Sequence, residues 1–187
     1  VTVRLIGANP GLTLYAGEDD DTRVGYASVW RVDWSAHGTG TAIITWHGGR
    51  TRVITATPRL GGWLAAEFTR HFPEVRGLAW PDPRVLTAPV ALELDLSHGM
   101  RAAGAGVEVE VTGPLDRRVV RVEEFDLGGT PNALSTVIIP CREGSLRIDG
   151  AEVPGTPRVV TSPRASSSAF LADAEVWSHP DPPPAVP

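Results

Sequence analysis

The chain has 187 residues, 42% of them hydrophobic and 21% charged, with a formal net charge of -5. That length buries a real core in one domain, and the acidic balance argues against the basic footprint that nucleic acid or an anionic membrane surface requires, leaving open only a local patch such as that around Arg117, Arg118 and Arg121. No apolar run approaches the ~20 residues a spanning helix needs.

All 17 basic side chains are arginine. Without lysine there is no Schiff-base chemistry, no P-loop lysine and no lysine general base. Cys141 is the one cysteine. It permits no intrachain disulfide and no cysteine-based zinc site, and it fits a cytoplasmic location. Placed between Pro140 and Arg142 after an apolar strand, it reads as a structural thiol.

Strand patterns dominate. Residues 2–6 and 12–16 are short strands around the Asn9-Pro10-Gly11 turn. The run Glu18-Asp19-Asp20-Asp21 reads as an exposed turn and lacks the spaced ligands of a calcium loop. Residues 24–35 carry the most informative pattern. Every second residue gives Tyr26, Ser28, Trp30, Val32 and Trp34 on one face, and Ala27, Val29, Arg31 and Asp33 on the other. An aromatic stripe of this kind either fills a core or walls a cavity for an apolar ligand. Residues 39–47 and 50–57 pair as a hairpin about Gly48-Gly49.

The period changes over 59–71. Leu60, Trp63, Leu64, Phe68 and Phe72 recur at helical spacing, with Thr57 as N-cap, Pro58 in the first turn and Pro73 as the stop. Trp80-Pro81-Asp82-Pro83 follows as a rigid connector. Strand 88–96 alternates Val90, Leu92, Leu94 and Leu96 against Ala91, Glu93 and Asp95. A glycine-rich link from Gly99 to Gly106 leads to strand 107–112, then to 117–125. Residues 127–132 read as a wide turn. Strands follow at 134–140, 145–149 and 151–153, with Asp149-Gly150 as a hairpin turn. The last strand covers about 167–178, after the polar Ser166-Ser167-Ser168 loop, which lacks a nucleophile-elbow context.

The pattern predicts an all-β, mainly antiparallel fold: a single β-barrel or strongly curved sheet of about eight to ten strands with one amphipathic helix. Residues 1–178 form the barrel domain and 179–187 a disordered proline-rich tail. The helix is expected to plug one mouth, with Trp63, Phe68 and Phe72 capping the interior. The strand count, the size and the aromatic face resemble lipocalin-like (calycin-like) barrels. That resemblance is architectural, carries over no family residues, and implies one enclosed apolar ligand.

Candidate chemistry is sparse. His37 lies in a turn four residues after Asp33, which is placed to orient it for proton transfer. His47, His71, His98 and His179 show no metal-site spacing, so no metal is expected. Glu123-Glu124 puts one carboxylate on each face of its strand, so one faces inward or sits at the strand end. Asp173 and Glu175 share a face with Leu171 and Trp177, as a cavity lining or an edge strand would. Six tryptophans against two tyrosines and four phenylalanines point to a pocket for a flat or polyunsaturated molecule, or to a heavy core.

Three functions follow. The first is binding of an apolar small molecule (lipid, polyene or polyketide-like), as in bacterial specialised metabolism. Tyr26, Trp30, Trp34, Trp46, Trp63, Phe68, Leu92 and Leu94 would line the site, with no cofactor. The second is a cofactor-free cyclase or isomerase in that cavity, with His37, Asp33 and Glu123 moving protons. The third is a structural protein that dimerises through sheet edges. The partners expected are the apolar molecule and a second copy, with no nucleic acid and no membrane.

Overall fold

The computed structural model describes residues 2–179. The strands are β1 (Thr2–Ala8), β2 (Gly11–Gly17), β3 (Asp20–Ser35), β4 (Gly40–His47) and β5 (Arg50–Thr55). Helix α1 (Pro58–Glu67) and two 3-10 turns, Thr69–His71 and Pro73–Val75, follow. Then come β6 (Arg84–Thr87), β7 (Ala91–Asp95), β8 (Gly99–Gly104), β9 (Val107–Pro114), β10 (Arg118–Leu127), β11 (Thr130–Ile148), β12 (Ala151–Glu152), β13 (Val159–Val160), β14 (Ser166–Ser167) and β15 (Ala169–Ser178). Of the proline-rich tail, His179 alone is described; its Nε2 donates to the Glu123 carbonyl at 2.6 Å. Residues 180–187 lie outside the described residues. No helix among the described residues is long and apolar enough to cross a membrane.

Thirteen strands share one hydrogen-bonded sheet, in the order β6-β5-β4-β3-β1-β15-β11-β9-β8-β7, with β10 and β12 added on β11. β1 and β2 each pair with both β3 and β15, which closes a four-strand ring. All pairings are antiparallel except β5 with β6. The fold is all-β and barrel-like, as the alternation predicted.

The long strands create two layers. The first half of β11 pairs with β10 and β15; its second half, from Cys141 to Ile148, pairs with β9. The chain thereby leaves one sheet face and enters another. A core forms between the layers from Leu12, Leu14, Ala27, Val29, Ile43 and Ile54 on one side and Met100, Ala102, Val109, Val111 and Leu146 on the other. The opposite face of β3, β4 and β5 presents Trp30, Val32, Ala42, Ile44 and Val53 to Leu60, Leu64 and Phe68. Both faces of β3 are therefore buried, which explains its near-continuous apolar run.

Helix α1 lies along the face of β5 rather than across a barrel mouth. Its Gly61 is the reason it can sit so close. A Cβ there would meet Thr55 Cγ2 at 2.6 Å and Val53 Cγ1 at 2.8 Å. Thr57 occupies the N-cap position without a side-chain capping bond; Pro58 opens the helix and the Thr57 carbonyl accepts from Gly61 N–H at 3.1 Å. The helix stops at Glu67, well before Pro73, and a 3-10 turn carries the chain onward.

Several boundaries correct the sequence reading. The glycine-rich link is strand β8, whose small side chains permit close layer packing: a Cβ on Gly104 would lie 2.8 Å from the Pro89 carbonyl and 3.1 Å from Ile54. Strand 88–96 shortens to β7, and a further strand, β6, lies between it and the Trp80–Pro83 connector. Strands 134–140 and 145–149 are one strand, β11. The wide turn at 127–132 is a tight hairpin turn, with Leu127 facing Thr130 across Gly128-Gly129. A register shift between Val122 and Phe125 puts a bulge under Glu123-Glu124, so both carboxylates are exposed and neither faces inward.

Candidate ligand cavity

The curvature of the ring and its neighbours leaves an apolar cavity of about 220 Å³. Alternation along three strands supplies most of its wall. β15 contributes Phe170, Ala172, Ala174 and Val176; β11 contributes Leu134, Thr136 and Ile138; β1 contributes Leu5. Trp30 from β3 and Phe125 from β10 flank them, and Phe68, Phe72, Pro73 and Glu74 close the side under α1. The small Ala172 and Ala174 leave the room that a larger side chain would take.

The aromatic wall is fixed by its own contacts. The Trp30 ring meets Phe68 edge-on at 5.6 Å and lies nearly parallel to Phe72 at 6.0 Å. Its indole N–H donates to Thr69 Oγ1 at 3.2 Å, which satisfies the one polar atom on the ring. Trp63 meets Phe68 edge-on at 5.0 Å from behind, and the Arg4 guanidinium lies 5.2 Å from the Phe68 centroid.

Three polar residues reach the cavity. Thr136 spends its hydroxyl proton on the Asp173 carbonyl at 2.9 Å. Asn9 donates through Nδ2 to Ser28 Oγ and to the Val29 carbonyl, each at 2.9 Å. A carbonyl only accepts, so the Val29 contact fixes the amide orientation and leaves Asn9 Oδ1 as an acceptor with no donor among the described residues. Burial raises the pKa of Glu74, the third polar residue, and only its own backbone N–H works against that. The Arg23 guanidinium is committed to main chain: it donates to the carbonyls of Glu74 and Arg76, each at 2.8 Å. Among the described residues, no cationic side chain lines this cavity.

The residues selected from sequence divide sharply. Trp30 and Phe68 line the cavity. Tyr26 and Trp46 share the correct sheet face but form a separate buried cluster with Val75, where Trp80 meets Tyr26 edge-on at 6.1 Å. Burial pushes the Tyr26 phenol well above its ordinary pKa, and the nearby Glu74 charge adds to that. Trp46 N–H donates to the Ala79 carbonyl at 2.9 Å. Trp34 is 44% exposed at the end of β3. Trp63 packs behind the wall, and Leu92 and Leu94 border the interlayer core on the far side of β3.

His37, Asp33 and Glu123 are not brought together. His37 stacks on Trp63 with ring centroids 4.4 Å apart. Asp33 accepts from Arg31 Nε at 3.2 Å instead of orienting His37. Arg31 also reaches Asp173 at 3.3 Å, which accounts for the mixed face of β15: Leu171 is in the interlayer core, while Asp173 emerges beyond its edge. Glu123 stands exposed on β10. The other histidines have structural partners or solvent. His47 Nδ1 donates to the Val24 carbonyl at 2.7 Å, His98 pairs with Asp95 at 3.1 Å, and the His71 ring fills the space above Gly128. Among the described residues no group of three or more potential ligands is placed to hold a metal.

Sequence reasoning missed Asn9 and Glu74. Asn9 reads as turn punctuation before Pro10-Gly11, and Glu74 as the residue after a helix stop. The available signal was a single acid inside the apolar stretch Phe72-Pro73-Glu74-Val75. Comparison with protein-family models, with curated proteins and with solved structures gave no match.

Proposed function

We propose that this protein binds a small apolar molecule in the cavity between β1, β3, β11, β15 and the segment after α1. The observation that carries the reading is the cavity itself, walled by the Trp30, Phe68, Phe72, Phe125 and Phe170 rings and by aliphatic side chains. Its lipocalin-like aspect is the enclosure of an apolar ligand by a curved antiparallel sheet. The volume, about 220 Å³, suits a compact ligand of one ring with short substituents rather than a long polyene. A dry cavity of about 150 Å³ is enough to take up benzene. Binding is driven by removing apolar area from water at ~25 cal/mol per Å².

The test is native mass spectrometry of the purified protein with solvent extraction alongside, followed by titration with toluene. A stoichiometric apolar adduct, or saturable toluene binding that raises the thermal midpoint, is the expected result. A clean mass together with no toluene binding would refute the reading. A second reading, a cofactor-free isomerase or cyclase, draws on one observation: Glu74, whose pKa burial raises, lines a mainly apolar cavity. Turnover of a bound substrate that disappears in Glu74→Gln would favour it.

A further inference from the structure

We infer that the ligand of this cavity is an apolar amine, held as an ammonium ion between the Glu74 carboxylate, Asn9 Oδ1 and the faces of the surrounding aromatic rings. The inference rests on the cavity being a binding site and adds the chemistry of what enters it.

Thr136 has no proton to give, because its hydroxyl is bonded to the Asp173 carbonyl. Asn9 offers only its Oδ1, because both established contacts of its amide use Nδ2. Glu74 offers carboxyl oxygens. The lining residues thus carry hydrogen-bond acceptors, one of them ionisable to an anion, and among the described residues no lining cation balances it. Arg23 is bound to main-chain carbonyls, and Arg4 is bound to Asn132 Oδ1 at 2.8 Å behind the Phe68 ring.

A carboxylate ligand such as a fatty acid would meet like charge and unpaired acceptors here, which strongly disfavours it. A neutral alcohol donates one hydrogen bond. A protonated amine donates up to three, supplies the missing positive charge and faces rings whose π clouds attract cations. Burial alone holds the Glu74 pKa up. An ammonium beside it favours the ionised form, so the pair forms as a unit.

The probes are four molecules on one skeleton: toluene, benzyl alcohol, benzylamine and benzoate, each titrated into the intact protein by calorimetry at neutral pH. Benzylamine is expected to bind at least about tenfold more tightly than benzyl alcohol, with benzoate the weakest. Glu74→Gln, which keeps the shape of the side chain, is expected to erase the amine preference and still bind toluene. Toluene retention also reports that the variant is folded. If toluene binds while benzylamine gains nothing over the alcohol, or if Glu74→Gln keeps the preference, the amine inference falls and the cavity reading stands. If none of the four binds, both fall.

Discussion

Replacing Ala172 by leucine distinguishes a true cavity from a filled core by the sign of its effect. Ala172 is only 6% exposed and its methyl group faces the cavity. Leucine adds three carbons, which at about 0.8 kcal/mol per buried carbon are worth about 2.4 kcal/mol if they enter open volume. Ordering the leucine side chain costs about 0.5–1 kcal/mol. The net expectation is a stabilisation of about 1.5 kcal/mol, or a rise in Tm of roughly 3–6 °C for a domain of this size. Equilibrium urea unfolding followed by tryptophan fluorescence reads the change, with an unaltered m-value as the condition for interpreting it. The same substitution should abolish toluene binding. In a packed interior the added carbons would instead force strain and destabilise by about 1–3 kcal/mol. A destabilisation of that size would refute the cavity and the ligand argument built on it.

Two further predictions concern sites away from the cavity. Cys141 is fully buried and its pKa is pushed up to about 11 by burial; it should resist a thiol reagent at pH 8 in the folded protein and react at once in urea, so rapid labelling under native conditions would contradict its placement. The Asp149 carboxyl is held below its ordinary pKa by the hydrogen bond from Arg52, with the Arg52 and Arg84 charges helping. A carboxyl with a depressed folded pKa stabilises above its unfolded pKa, and that contribution disappears as pH falls through the folded value. The urea midpoints of the parent and Asp149→Asn should therefore differ at pH 7 and converge in acid; asparagine is the suitable replacement because residue 149 has φ of 53°. A gap that persists unchanged at low pH would mean the ion pair is not its source.

Much of the fold is written in short-range pattern. Alternation in β3 and β9, the hairpin turns at Gly48-Gly49 and Asp149-Gly150, and the change to helical spacing after Pro58 all survive folding, because each depends on neighbours within a few residues. What failed depends on distant partners. β8 has weak strand propensity and forms because β7 and β9 pair on both of its edges. The Glu123-Glu124 bulge is set by register against β11. The site shows the same division. The face of β3 was legible, but which part of that face meets the cavity was not, since that is decided by where β11 and β15 curve round to meet it. Trp30 falls inside that arc; Tyr26 and Trp34 fall outside it. Asn9 and Glu74 come from a turn and a 3-10 segment, where no periodicity announces orientation.

The pairing of β1 with β15 sets the order in which this molecule can be completed during synthesis. Four wall residues of the cavity, Phe170, Ala172, Ala174 and Val176, belong to β15, which is also the strand that joins β1 to β11. Until β15 emerges, β1 and β11 remain unjoined edges and the cavity lacks one wall. A nascent chain ending before Ala169 therefore exposes apolar surface on both sides of the gap, and its safe arrival depends on β15 closing it promptly.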